Sequence, residues 1–367
     1  MKKTSVDTPF LVVICVLVVS GLIIFTSAAL GLLARGSGAT FTSVAVSQLL
    51  LGLICGTVAC IFFATIDYRL WRKFTPYFFV GAFLLTTLTF VPGIGLELKG
   101  ASRWILIGGF SFQPEEILKF AVVAFLAALY AAKFKTVSTI KDGVVPLLLV
   151  AGTSALLLIL QPNTAGVIMI VATAAGMLFA AGGKIWHLGV LALMGVVAVG
   201  AAAFVYPHVA DRIATFLDHT EDPQGAGWQI QQSLIAVGSG GLTGRGLGQS
   251  VQKFSYLPEP IGDSIFAVAG EEFGFIGGVF LLLLYVALAL LGLRIASRAA
   301  DPFGGLLVVG LVILIVGQSF FNIASILGIV PLVGIPLIFV SHGGTALAIA
   351  LAEIGVILSV SRRMRHK

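Results

Sequence analysis

Side chains able to move a proton or hold an anion are scarce in this chain, and one polar stretch gathers a group of them. Between Gly238 and Gly278 a polar, glycine-rich segment brings together Arg245, Lys253, Glu259, Asp263, Glu271 and Glu272. Asp263 follows Pro260 and Gly262 and precedes an apolar run, where an aspartate caps a helix by accepting from an orphan amide. A carboxylate at the mouth of a cavity is equally placed to take a proton from a hydroxyl nucleophile, and the two roles are compatible. Arg245 and Lys253 supply charge for an anionic group such as a pyrophosphate. The glycines fit neither the Walker phosphate loop nor the dinucleotide fingerprint. What they offer is close backbone approach and unusual dihedrals, which suit a segment lining a cavity.

Two further sets of charges call for the same question. Glu116 and Lys119 stand i, i+3 and share a helix face, where they can pair. They read either as an interfacial ion pair beside the headgroup anchor Trp104 or as the lining of a polar cavity. Glu271 and Glu272 fall about two turns beyond Asp263, roughly 12 to 14 Å along a helix. That depth lies inside a bilayer, where ionisable groups are costly unless paired or wet and are functional candidates by default. Glu353, in the last apolar run, carries the same argument, with a buried interhelical hydrogen bond as the ordinary account. Asn163 and Asn322 read as polar glue between helices.

The elements that must position these groups follow from composition. Of 367 residues 58% are hydrophobic and 10% charged, with a mean hydropathy of +1.08, the profile of a polytopic membrane protein. A hydrocarbon core of about 30 Å needs roughly 20 apolar residues per helix, and about ten such runs are present. They lie near Phe10–Leu33, Val44–Ile66, Pro76–Val91, Ile117–Ala132, Val144–Leu160, Ala165–Ala181, Trp186–Val205, Ser264–Leu291, Phe303–Leu327 and Gly344–Val360. The expected fold is all-α, one transmembrane domain over 1–367, with both termini cytoplasmic. A large extracytoplasmic loop, 206–262, joins helices 7 and 8. The first run is too long for a cleaved signal peptide and reads as a retained span.

Ten spans put fifteen of the 22 lysines and arginines on the side of the termini, among them Lys2, Lys3, Arg365 and Lys367. Arg35, Lys99, Arg103, Lys119, Arg212, Arg245 and Lys253 fall on the other. The positive-inside rule makes the richer side cytoplasmic, and it accounts for the net charge of +6 without nucleic acid. Cys15, Cys55 and Cys60 sit in apolar runs and read as buried small hydrophobes. No two histidines have metal-ligand spacing. The segment Pro207–Gly227, with Asp211, Arg212, Asp218, Glu221 and Asp222, has amphipathic stretches that suit a headgroup-level helix or lid.

KGASRWI at Lys99–Ile105, QPEEILK at Gln113–Lys119, LQPNTAG at Leu160–Gly166, the run Ser233–Gly277 and GIVPLVGIPLIFVSHGG at Gly328–Gly344 occur in this order. In these motifs the chain resembles the SEDS family (shape, elongation, division and sporulation) over nearly its whole length. The wording of GLGQSVQKFSYLPE is more similar to the family's division branch than to its elongation branch. The resemblance implies an inverting glycosyltransferase of the bacterial plasma membrane that polymerises lipid II, the undecaprenyl-pyrophosphoryl disaccharide-pentapeptide, on the extracytoplasmic face at the division septum. It also implies a class B penicillin-binding transpeptidase and other division proteins as partners. It is compatible with a divalent cation, Mg or Mn, and with catalysis without one.

Carried over by residue, Asp263 matches the family's essential aspartate, the base for the acceptor 4-hydroxyl. Arg103, Glu116 and Lys119 match charged positions of the central cavity, and Lys119 or Arg245 would stabilise the departing pyrophosphate. The chain departs from the family pattern at Glu115, where serine is usual, at Asn163, where an acid is usual, and at His342, where tyrosine is usual. Two other readings stay open. A lipid II flippase would lean on Glu271, Glu272 and Glu353, and a scaffold would activate the transpeptidase without chemistry of its own.

Overall fold

A computed structural model describes residues 6–33, 41–98, 101–107, 110–205, 207–218 and 225–364. Lys2, Lys3, Arg35, Lys99, Glu221, Asp222, Arg365 and Lys367, which the sequence reading used, lie outside the described residues. The chain is helical, in order α1 Thr8–Leu33, α2 Thr42–Thr65, α3 Arg69–Thr87, α4 Pro114–Ala132, α5 Ile140–Leu160, α6 Thr164–Ala180 and α7 Ile185–Val205. The connection after α7 then forms α8 Pro207–Leu217, α9 Ala226–Ser239 and α10 Gln252–Ser255, before α11 Ile265–Ser297, α12 Pro302–Ile326 and α13 Gly344–Ser361. Each of the ten apolar runs thus falls on a helix, and six of these helices are long and apolar enough to cross a membrane.

Local chemistry sets several of the ends. Asp7, Asn163 and Asp301 accept from Phe10 N, Gly166 N and Gly304 N and so cap α1, α6 and α12. The third run begins seven residues earlier than its apolar stretch, at Arg69, with Pro76 inside the helix. Proline leaves the carbonyl four residues back without its amide, and the Thr75 hydroxyl donates to that carbonyl, Arg72 O, at 3.3 Å. The connection between α3 and α4, too short in apolar residues to span, adds an antiparallel sheet of β1 Gly95–Leu98, β2 Ala101–Ile107 and β3 Phe110–Phe112, in that order. Thr345 Oγ1 donates to Ser111 O at 3.2 Å and ties this sheet to the start of α13.

The bundle is built around α12 and α13, whose apolar windows are 72% and 83% buried, against 22% for α2 and α11. Gly52 and Gly56 of α2 lie directly under Leu347, Ala348 and Leu351 of α13, since small residues let helices in lipid approach closely. Outward faces such as Leu193, Val196 and Phe204 of α7 are exposed and apolar, as a lipid-facing surface requires.

α11 is two helices joined at Gly274, whose φ of 65° and ψ of −164° are open to glycine alone. The break leaves backbone groups unpaired, and the loop after α9 takes them up. Arg245 N and Gly246 N donate to Glu271 O and Glu272 O at 3.0 Å each, while Phe275 N and Ile276 N donate to Gly241 O and Leu242 O at 2.9 and 3.1 Å. Added Cβ atoms at Gly244 or Gly274 would overlap the facing backbone. This alters the surroundings expected for Glu271 and Glu272. They do not continue down a straight span from Asp263; they stop at the break, enclosed by the loop.

Candidate active site

Asp263 stands at the end of a tight turn, in which Gly262 N and Ser264 N both donate to Glu259 O, at 3.0 and 3.2 Å. The cap position of α11 is Ser264, without a side-chain cap bond, so Asp263 is not the N-cap that its place before an apolar run suggested. Its side chain is half-buried.

Two arginines lie within electrostatic reach of it. Arg103 on β2 donates from Nε to Gln161 O at 3.3 Å and from its terminal nitrogen to Pro162 O. Burial pulls its guanidinium below the ordinary arginine value, opposed by the negative charge of Glu115 and Asp263. Arg212 on α8 is likewise pulled down by burial and by the like charge of Arg103, again opposed by Asp263. Asp263, Arg103 and Arg212 therefore act on one another across one half-buried space. Neither arginine has an ion pair among the described residues. In the sequence Arg212 counted as an outward charge and as part of the amphipathic segment 207–227, with no role in the site. The usable signal was its spacing, since Val209 and Thr215, three residues away on either side, are buried and place Arg212 toward the inner face of α8.

Below this site lies a polar cluster between helices. Lys119, 2% exposed, bonds Glu116 at 2.8 Å and Gln318 Oε1 at 2.9 Å. The expected i, i+3 pair is thus present, and it is buried in the bundle. Glu353 is buried within electrostatic reach of both members of the pair. Glu115 accepts from Asn163 Nδ2, so the asparagine at a position that is usually acidic in the resembling family serves as a donor to a carboxylate.

Arg245, Lys253, Glu271 and Glu272 form a separate unit. Arg245 pairs with Glu271 at 3.1 Å, and Lys253, fully buried, pairs with Glu272 at 2.6 Å. Glu271 also accepts from Ser250 Oγ, Val251 N and Gln252 N, and Glu272 from Ser27 Oγ and Ser250 N. These are the bonds of a structural clip. Among the described residues no group of three histidine, cysteine or acidic side chains is arranged as a metal cage. Asp263 can offer one carboxylate to a divalent ion, which suits a cation held mainly by substrate phosphates.

Comparison with known proteins gives a consistent picture. The family model described as cell cycle protein, covering the FtsW, RodA and SpoVE proteins, matches residues 8–366. The chain is similar to stage V sporulation protein E of Bacillus subtilis strain 168, 40% identical over 100% of this chain and 99% of that one. It is similar to the probable peptidoglycan glycosyltransferase FtsW of Geobacter sp. strain M18, 40% identical over 82% of each. Among solved structures, a chain from work on the coordination of polymerization and crosslinking by a peptidoglycan synthase complex aligns with a TM-score of 0.74 at 25% identity, over 93% of this chain and 96% of that one. The rod shape determining protein RodA of Thermus thermophilus shares the fold, with a TM-score of 0.70 at 23% identity over 99% of both.

Proposed function

The chain belongs to the FtsW, RodA and SpoVE family and is a multi-pass membrane peptidoglycan glycosyltransferase of cell wall synthesis, and from that premise we propose that it polymerises lipid II with Asp263 as the base. The observation that carries this reading is the trio of Asp263, Arg103 and Arg212, which puts one proton acceptor and two half-buried cations, neither with an ion pair among the described residues, within electrostatic reach of one another.

In the proposed reaction the Asp263 carboxylate takes the proton of the acceptor 4-hydroxyl as its oxygen attacks the anomeric carbon of the donor. The new glycosidic bond forms from the opposite face as the bond to undecaprenyl pyrophosphate breaks, and the departing pyrophosphate carries off the electron pair. Charge develops on that group, so fixed cations there lower the barrier. Arg103 and Arg212 take this role in preference to Arg245 and Lys253, which are occupied by Glu271 and Glu272, and to Lys119, held by Glu116. If a Mg or Mn ion joins them, Asp263 and the substrate phosphates would hold it and it would add positive charge at the leaving group.

The site faces outward at the septal membrane, with a class B penicillin-binding transpeptidase as partner. The flippase alternative loses support, because two of its three carboxylates are bonded to loop residues. The test is glycan-strand formation from fluorescent lipid II by purified protein, alone and with the transpeptidase. Asp263→Asn should lower the rate about 10²- to 10⁴-fold while the protein remains monodisperse. An active Asp263→Asn variant would reject the base assignment.

A further inference from the structure

Three consecutive backbone carbonyls at the candidate base are each held by a separate donor. Ile261 O accepts from His342 N at 2.7 Å, Gly262 O from Ser341 Oγ at 2.8 Å, and Asp263 O from Asn322 Nδ2 at 2.9 Å. All three donors come from α12 or from the irregular strap, residues 327–343, that joins α12 to α13. A turn that needed only to be closed would not need three carbonyls fixed from one side.

The donors are themselves fixed. Asn322 is fully buried, and the same Nδ2 donates to Ile335 O at 2.7 Å. Both partners are carbonyl oxygens, so the amide has one acceptable orientation, and its buried Oδ1 has no partner among the described residues. An apolar side chain would avoid that cost, so packing alone does not account for an asparagine here. Ser341 Oγ accepts from Leu337 N at 2.8 Å while donating to Gly262 O. Gln48 of α2, 1% exposed, clasps the strap by donating to Ser341 O at 3.1 Å and accepting from Gly343 N at 3.0 Å. The strap also shapes the space at the carboxylate. Gly334, with φ of 66°, comes so near that an added Cβ would lie 3.2 Å from Asp263 Oδ2.

We infer that Asn322 and Ser341 are positioning residues, which aim the Asp263 carboxylate by pinning the carbonyls of Asp263 and Gly262, and that Gly334 keeps room in front of it for the reacting hydroxyl. The inference rests on Asp263 being the base. A base works only when its oxygen is within hydrogen-bond reach of the proton it removes, and a misplacement near 1 Å costs on the order of a hundredfold in rate. Loss of either donor frees the turn to relax without touching any charge in the site.

The experiment compares lipid II polymerisation kinetics and thermal midpoints of purified wild type, Asn322→Leu, Ser341→Ala, Ser341→Thr and Asp263→Asn. Asn322→Leu keeps the branched shape and heavy-atom count and removes both donated bonds, and Ser341→Thr keeps the hydroxyl. The expected result is a fall of about tenfold to a hundredfold in kcat for Asn322→Leu and Ser341→Ala. KM for lipid II should stay within about twofold, the midpoint near wild type, and the rate largely restored in Ser341→Thr. Wild-type kcat in both variants with an inactive Asp263→Asn would overturn the positioning role and leave the base in place. So would losses that follow the thermal midpoint or that Ser341→Thr shares with Ser341→Ala. An active Asp263→Asn would instead remove the reading on which the inference stands.

Discussion

The cluster at Arg245, Lys253, Glu271 and Glu272 and the cluster at Arg103, Arg212 and Asp263 are both built from cationic side chains and carboxylates and differ in what satisfies them. In the first, each cation meets its own carboxylate at 3.1 or 2.6 Å, and both carboxylates collect further amide and hydroxyl donors. In the second, two half-buried cations share the field of Asp263, Arg103 also feels Glu115, and Arg103 is bonded to neutral carbonyls. Charges that neutralise one another inside a fold hold elements together, and breaking one partner away is costly. Surplus positive charge kept from water on one side is instead a place where an anion can bind. The sequence stretch that looked most chemical therefore splits, with its acids and bases devoted to anchoring a loop and its aspartate turned toward arginines from distant segments.

Variants that interchange the behaviour of the two clusters would break this comparison. The largest effect is expected at Lys253, where Lys253→Met strands the Glu272 carboxylate and costs about 3–5 kcal/mol, read as a clear fall in thermal midpoint. Adding Glu272→Gln should recover part of it. A Lys253→Met protein as stable as wild type would mean that the pair is not a clip. An intermediate effect is expected at Arg212. Arg212→Gln removes a charge-assisted bond to the leaving group, worth about 1.5–3 kcal/mol, and should slow polymerisation about tenfold to a hundredfold with the midpoint unchanged. If Arg212→Gln lowers the thermal midpoint while the folded protein keeps full specific activity, the two clusters have been assigned in reverse.

The smallest effect belongs to a third group of charges between α11 and α12. Burial works to raise the Asp301 carboxyl, but hydrogen bonds from the Tyr68 hydroxyl at 2.6 Å, from Gly304 N and from Arg69 outweigh it and hold the group below the ordinary carboxylate range. A carboxyl depressed in the folded state stabilises it above the unfolded value, about 3.9, and loses that contribution as pH falls through the folded value. Asp301→Ala should cost about 0.5–2 kcal/mol at neutral pH and progressively less below about pH 4, in a thermal-midpoint series against pH.

How much of this could be read beforehand depended on whether a signal was local. The ten runs were legible because each helix must carry its own apolar length, and Glu116 with Lys119 because i, i+3 spacing suffices to bring them together. Asp263 stood out by type and place. The partners of Glu271 and Glu272 did not, because they depend on Gly274 breaking the helix and on residues 241–246 docking against the break. Arg212 was hidden for a similar reason, since its electrostatic link to Asp263 depends on how the chain folds between them. The carbonyl clamp at 261–263 was hidden more deeply still. It is made from backbone oxygens, and sequence carries no mark of which carbonyl a distant asparagine will find.

The break at Gly274 also bears on how crossings of this chain are counted. A hydropathy trace takes Ile265–Ser297 as one span of 33 residues, about 50 Å of helix against a hydrocarbon core of about 30 Å. Divided at the glycine, the part from Phe275 onward is about 35 Å long, enough to cross by itself with some tilt. Residues 265–273 then need not cross anything. Reporters joined after Asp263 and after Gly274 are then expected in the same compartment, and a topology map that sets them on opposite sides would show that residues 265–273 do cross.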